Sequence, residues 1–128
     1  MRATAALAAA LALGAAAASA APPPAEDYVL HCSACHHADG AGVPGVVPPL
    51  TGLAPFLAMP AGRAYLVRVP GVAQAALDDA RLAALLNWVL REFSGAEPRP
   101  GYDAQEVHAL RGEPLRDPST ARALALRR

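Results

Sequence analysis

Two cysteines and a histidine stand together in the run His31-Cys32-Ser33-Ala34-Cys35-His36, and their types and spacing point to one chemistry. Residues three apart on a helix share a face, so both thiols can reach two groups on one edge of a porphyrin. A histidine directly after the second cysteine brings an imidazole nitrogen within reach of the bound iron. This is the spacing by which haem is attached covalently and given its proximal ligand. Cys32 and Cys35 are therefore expected as thioether anchors and His36 as the proximal axial ligand.

Other uses of the pair fit less well. Disulfide exchange expects βαβ surroundings, and nothing near the motif alternates β-branched and polar residues as strands do. A structural zinc site closes on four ligands from paired motifs, whereas the chain holds two cysteines in all. A disulfide between helical residues i and i+3 is disfavoured by the separations such a bond requires.

The elements that must position these groups can be read from the surrounding sequence. A helix is expected to start near Ala25, with Glu26 and Asp27 at its positive end, and to run through Tyr28 into the cysteine motif. From His37 to Gly52, Gly and Pro recur too densely for helix or central strand. Asp39-Gly40 reads as a turn, and so long an irregular stretch is expected to serve function. Pro60 to Arg68 is a short helix with Pro at its first position, ended by Pro70-Gly71. Leu77 to Phe93 is the strongest helix, with Leu82, Leu85, Leu86, Val89 and Leu90 at helical spacing and Ser94-Gly95 as its stop. Trp88 is expected in the core, its indole nitrogen hydrogen-bonded. Beyond Ala96, prolines and glycines divide a tail into two helical pieces, Asp103 to Arg111 and Ser119 to Leu126. Asp103 and Glu106 resemble a capping box.

The start of the chain has the form of an export signal. Arg2 precedes an apolar run from Ala5 to Ala17, and Ala18-Ser19-Ala20 offers the small residues of a cleavage site. Cleavage after Ala20 is expected, giving a periplasmic or otherwise exported protein; a membrane association would require this alanine-rich segment to stay uncleaved. Thioether bonds would leave the mature chain no free thiol to misoxidise outside the cytosol. Eleven basic residues balance eleven acidic ones, which argues against nucleic acid as a partner, and every basic residue is Arg. The organisation expected is a signal peptide over 1–20, a haem domain over 21–95, and an extension over 96–128 that wraps the domain or docks a partner. Alanine-rich helices bury little area per residue, and a domain this small buries roughly two-thirds of its chain surface. A haem would supply the missing apolar bulk, and the haem-free chain is expected to be unfolded or molten.

From Tyr28 to Phe93 the sequence resembles the class I (monohaem) cytochromes c. The resemblance rests on an aromatic four residues before the first cysteine, the Cys32-x-x-Cys35-His36 motif, Asp39-Gly40-x-Gly42, Pro48-x-Leu50-x-Gly52 and a final helix with Leu85-x-x-Trp88. It implies an all-α fold of three to four helices around one haem c held by two thioethers, with the first and last helices crossing near Tyr28 and Trp88. It also implies that the carbonyl of Pro48 orients His36 through the ring's other nitrogen, which makes the imidazole a better iron donor. Leu50, Tyr65 and Leu85 are candidate pocket walls.

The family's sixth ligand is a methionine just ahead of the last helix, where this chain has Val69-Pro70-Gly71. Met59, the one methionine of the mature chain, lies earlier and is the candidate ligand, with water (an open site) and His108 as alternatives. The function implied is electron carriage without substrate chemistry, between partners such as an exported dehydrogenase and a terminal oxidase or reductase. An open sixth position would instead suit a gas-binding, sensor or weak peroxidase module, the last with Arg63 or Arg68 in the pocket. A haem subunit of a dehydrogenase complex, docked through the tail, is the remaining alternative.

Overall fold

The computed structural model describes residues 20–127, so all but the last residue of the expected signal peptide lies outside the described residues. Among the described residues seven α-helices follow one another: α1 (Pro24–His31), α2 (Ser33–His36), α3 (Pro60–Arg68), α4 (Pro70–Ala73), α5 (Asp79–Ser94), α6 (Ala104–Arg111) and α7 (Pro118–Ala125). A 3-10 helix, Ala54–Ala58, precedes α3. Extended pairing among the described residues is confined to one bridge, Val43 with Val47, inside the glycine-rich loop. None of the helices described is long and apolar enough to cross a membrane.

Each helix starts and stops on local chemistry. Pro24 opens α1, where its missing N–H costs nothing, and Glu26 and Asp27 occupy the first turn. The side chain of Asp78 caps α5 by accepting from the amide of Arg81 at 2.8 Å. Gly95 ends that helix in the left-handed conformation, φ 56° and ψ 23°, which a residue without Cβ adopts freely. Between these ends Leu82, Leu85, Leu86, Val89 and Leu90 form one buried stripe.

That stripe packs α5 against α1. At their crossing the ring of Tyr28 lies 5.5 Å from Trp88 and 4.8 Å from Phe93, and Trp88 meets Phe93 edge-on at 5.6 Å. Such tilted and edge-on pairs add to the gain from area burial alone. Beside them Asp27, 1% exposed, pairs with Arg81 of α5. The hydroxyl of Tyr28 donates to the carbonyl of His37 at 2.5 Å, which ties α1 to the end of the cysteine motif.

Three expectations need correction. Pro70 does not simply end a helix; with its fixed φ suited to a first helical position, it starts α4 after the single extended residue Val69. Trp88 is only partly buried, and among the described residues its indole nitrogen has no hydrogen-bond partner. The capping box at α6 is half formed: Asp103 accepts from the amide of Glu106 at 2.8 Å, but the carboxylate of Glu106 turns to Arg63 of α3.

Residues 96–127 lie along the domain they follow. Arg63 holds Glu106 at 2.8 and 2.6 Å and spreads its guanidinium 4.3 Å over the ring of Tyr102. Asn87 exchanges two hydrogen bonds of 2.9 Å with the backbone of Tyr102. Arg111 reaches the end of α4 and the connector to α5, donating to the carbonyls of Ala73 (3.1 Å), Ala75 (2.7 Å) and Leu77 (2.8 Å). The same arginine bonds Asp79, and together with His108 it holds that carboxyl below its usual pKa. Arg111→Met removes the donors to three backbone carbonyls at once. It should lower stability in chemical denaturation by about 3 kcal/mol, while Arg99→Met at an exposed position stays within about 0.5 kcal/mol; equal midpoints for the two variants would show that the connector does not depend on Arg111.

Candidate haem site

The Cys32 to His36 segment forms a continuous helical turn. The Cys32 amide still donates to Tyr28 in α1 (2.9 Å), and the Cys32 carbonyl accepts from Cys35 (3.2 Å) and His36 (2.9 Å). Cys32 is partly buried against the core and Cys35 is exposed, and both are free thiols. Burial first, then the charges of Asp27 and Cys35, push the Cys32 thiol up to about 11. Thiol exchange and metal binding both use the thiolate, so Cys32 is not poised for either. Among the described residues no group of three or more His, Cys, Asp or Glu gathers as a metal cluster.

Cys32 and His36 open onto a cavity of about 450 Å³, inside the span of about 300–1,000 Å³ usual for cofactor sites. Its wall is contributed by the Val46–Leu50 segment with Leu53, by α3 and the connector after it (Tyr65, Leu66, Val69, Gly71, Val72, Ala75), by the α5 stripe, and by α7. Nearly all of these side chains are aliphatic. Of the residues singled out in the sequence, Cys32, His36, Pro48, Leu50, Tyr65 and Leu85 line this cavity together, and Cys35 is outside its lining.

His36 is set against the polypeptide on one side. Its Nδ1 is fully buried without a partner at hydrogen-bond distance. Burial lowers the imidazole pKa, and the nearby Pro48 carbonyl opposes that shift without cancelling it. A neutral imidazole with one nitrogen directed into the fold, and its ring on the cavity wall, suits an iron ligand that wants its free nitrogen toward the metal. The loop that delivers Pro48 is folded back by Gly42, whose amide donates to the carbonyl of His36 at 3.1 Å, and by Leu50, whose amide donates to Gly40 at 2.8 Å. Gly42 has φ +67°, and a Cβ there would collide with the Val47 carbonyl and lie 2.8 Å from that of Pro48.

Met59 does not join this group. It caps α3 from outside, its carbonyl accepting from Gly62 (3.0 Å) and Arg63 (3.1 Å), and the residue is 46% exposed and absent from the cavity wall. The reason is local: the 3-10 helix ends directly before it and Pro60 begins α3 directly after it, so its backbone is fixed at the outer end of both. His108 is also remote from the cavity, its side chain 81% exposed with Nδ1 2.9 Å from Asp79. Arg63 and Arg68 are engaged with Glu106 and Glu113 rather than with the cavity.

Sequence reasoning missed the contribution of α7. Pro118, Ser119 and Arg122 line the cavity, and the guanidinium of Arg122 stands 4.9 Å over the ring of Phe56. The available signal was the pair Ala121 and Ala125, four apart and packed on the core, which marks an inner helix face.

The apolar enclosure, the orphaned Nδ1 and the cysteine turn together fit a haem attached at Cys32 and Cys35. Gly42→Ala should cost more than Gly45→Ala, because both residues have positive φ but Gly45 faces open space. The second variant should lose about 1–2 kcal/mol, the usual strain of a left-handed residue, and the first should lose distinctly more by displacing Pro48. Equal urea midpoints would show that the loop is not held against Pro48 as described.

A scan against protein-family profiles finds no match for the chain. Among curated proteins, it is 34% identical over 106 residues to cytochrome c-552 of Thermus thermophilus, a match that takes in 66% of this chain and 81% of the relative. A second cytochrome c-552, from a named strain of the same species, matches with the same identity, with 72% of its length covered. The aligned length exceeds the share of this 128-residue chain that takes part, so the relatives carry residues within the matched region that this chain lacks. With a cysteine turn, an apolar pocket and this degree of identity to two such proteins, the chain belongs to the class I, monohaem c-type cytochromes, whose haem c is covalently bound.

Proposed function

We propose that the protein is an exported carrier of single electrons, with one haem c held by thioethers to Cys32 and Cys35 and ligated by His36. The observation that carries this reading is the shared cavity: Cys32, His36 and Pro48 open into one apolar enclosure of the size a cofactor needs. When bound, the haem supplies a one-electron couple at its iron. The residues of the chain do the rest. Burial by Leu50, Tyr65 and Leu85 keeps water from the ring, and the Pro48 carbonyl, the nearest acceptor to the unpartnered Nδ1, would orient the imidazole on closing to hydrogen-bond distance; both act on the potential.

Electron exchange also needs an edge open to partners. Cys35 is exposed, and Val46, on the cavity wall, is 77% exposed, which is consistent with a rim where a porphyrin edge meets solvent. Docking there would be transient, with less than about 1,200 Å² buried in total, between an exported dehydrogenase and a terminal oxidase or reductase. The start of the chain supports export, and the bonds from Arg63, Asn87 and Arg111 to 96–127 support a tail that wraps this domain in preference to one that reaches for a partner.

Potentiometric titration of the purified protein should give a single reversible one-electron wave, and two waves or none would contradict the proposal. Chemical cleavage of the thioethers and removal of the haem should abolish the cooperative unfolding transition and leave a state that binds a hydrophobic dye. Persistence of a sharp transition in the haem-free chain would show that the haem is not part of the core.

A further inference from the structure

A sixth iron ligand supplied by the chain would need a donor atom on the cavity wall, and the wall offers almost none. Apart from Cys32 and His36, three lining side chains bear nitrogen or oxygen: Tyr65, Ser119 and Arg122. A guanidinium has no lone pair to give, and Arg122 is occupied over Phe56. A neutral hydroxyl such as that of Ser119 is a poor donor. Tyr65 would have to ligate as phenolate, and its ring is held flat against Phe56 at 5.1 Å with the planes 18° apart.

Ligands from outside the cavity would have to move into it, and the structure opposes this. Met59 is fixed between two helices, and His108 is at the surface with Asp79. The connector from Val69 to Asp78, where a ligand loop would stand, is short and tightly bonded. Val69 and Val72 donate within the turn to Tyr65 (3.1 Å) and Val69 (2.9 Å), and Arg111 fastens the carbonyls of Ala73, Ala75 and Leu77. The chain is also shorter than its relatives over the matched region.

Resting on the haem-bearing reading above, we infer that no residue among those described fills the sixth position, and that the pocket admits a neutral diatomic gas there. The aliphatic wall decides the ligand class. An anion would lose its hydration without a compensating partner, and peroxide chemistry would want a base beyond His36, whereas carbon monoxide or nitric oxide requires neither. Pocket polarity and access are what separate ligand binding from pure electron transfer in haem proteins.

The experiment uses the intact holoprotein. The reduced form should have a high-spin, five-coordinate absorption and Raman spectrum and should bind carbon monoxide rapidly, one per haem. Met59→Ala and His108→Ala, both outside the cavity wall, should leave both results unchanged. A low-spin ferrous spectrum that resists carbon monoxide would overturn the inference, and loss of that spectrum in either variant would identify the internal ligand. Absence of covalent haem by mass would overturn the carrier reading and this inference together, whereas covalent haem that resists carbon monoxide overturns this inference alone.

Discussion

The carbonyl of Cys32 accepts from two amides, those of Cys35 and His36, and this single turn constrains the layout of the whole pocket. It gives both cysteines and the imidazole one geometry relative to each other, so any group that uses all three must lie along one side of α2. The chain then has to bring apolar surface to that side. Tyr28, one turn earlier, does so by meeting Trp88 and Phe93 of α5, and the adjacent Asp27, paired with Arg81 two turns before Trp88, fixes the same crossing. A buried ion pair adds little net stability over apolar packing, but loss of one partner is costly. Its value here is in holding the register of α1 on α5.

Around that crossing the pocket is assembled from segments far apart in the chain. The glycine-rich loop supplies Pro48 and Leu50 because Gly42 and Gly40 allow it to fold tightly back on His36. The junction after α3 supplies Val69, the short helix α4 supplies Gly71 and Val72, and the tail supplies Arg122. Each segment is anchored by polar bonds to the next: Ser94 to Leu53, Arg111 to the connector, Leu115 to Arg68. An alanine-rich chain with small helices thus uses arginine side chains on backbone carbonyls where a larger protein would use area.

What was legible in the sequence was local. The bounds of the helix from Pro60 to Arg68 agree with expectation, since proline at a first position and Val69-Pro70 beyond it are local signals. The α5 helix was legible because its stripe and its terminal glycine agree. The meeting of Tyr28 and Trp88 came from a resemblance, not from spacing. The place of Met59 was not legible, because whether a side chain at the junction of two helices faces a pocket or solvent depends on how those helices pack. The 3-10 helix before it and the part of α7 in the cavity wall were hidden for the same reason: they are set by contacts of Phe56 with Tyr65 and Arg122, residues distant in sequence.

The central claim is that this chain folds around a haem fixed to the cysteine turn. Peptide mass mapping tests it most directly, on protein produced in a host that attaches haem to exported chains. The expected result is one haem, carried by the fragment that contains both Cys32 and Cys35, with neither thiol open to alkylation. Two alkylatable cysteines, or a disulfide between them on a haem-free fragment, would contradict it.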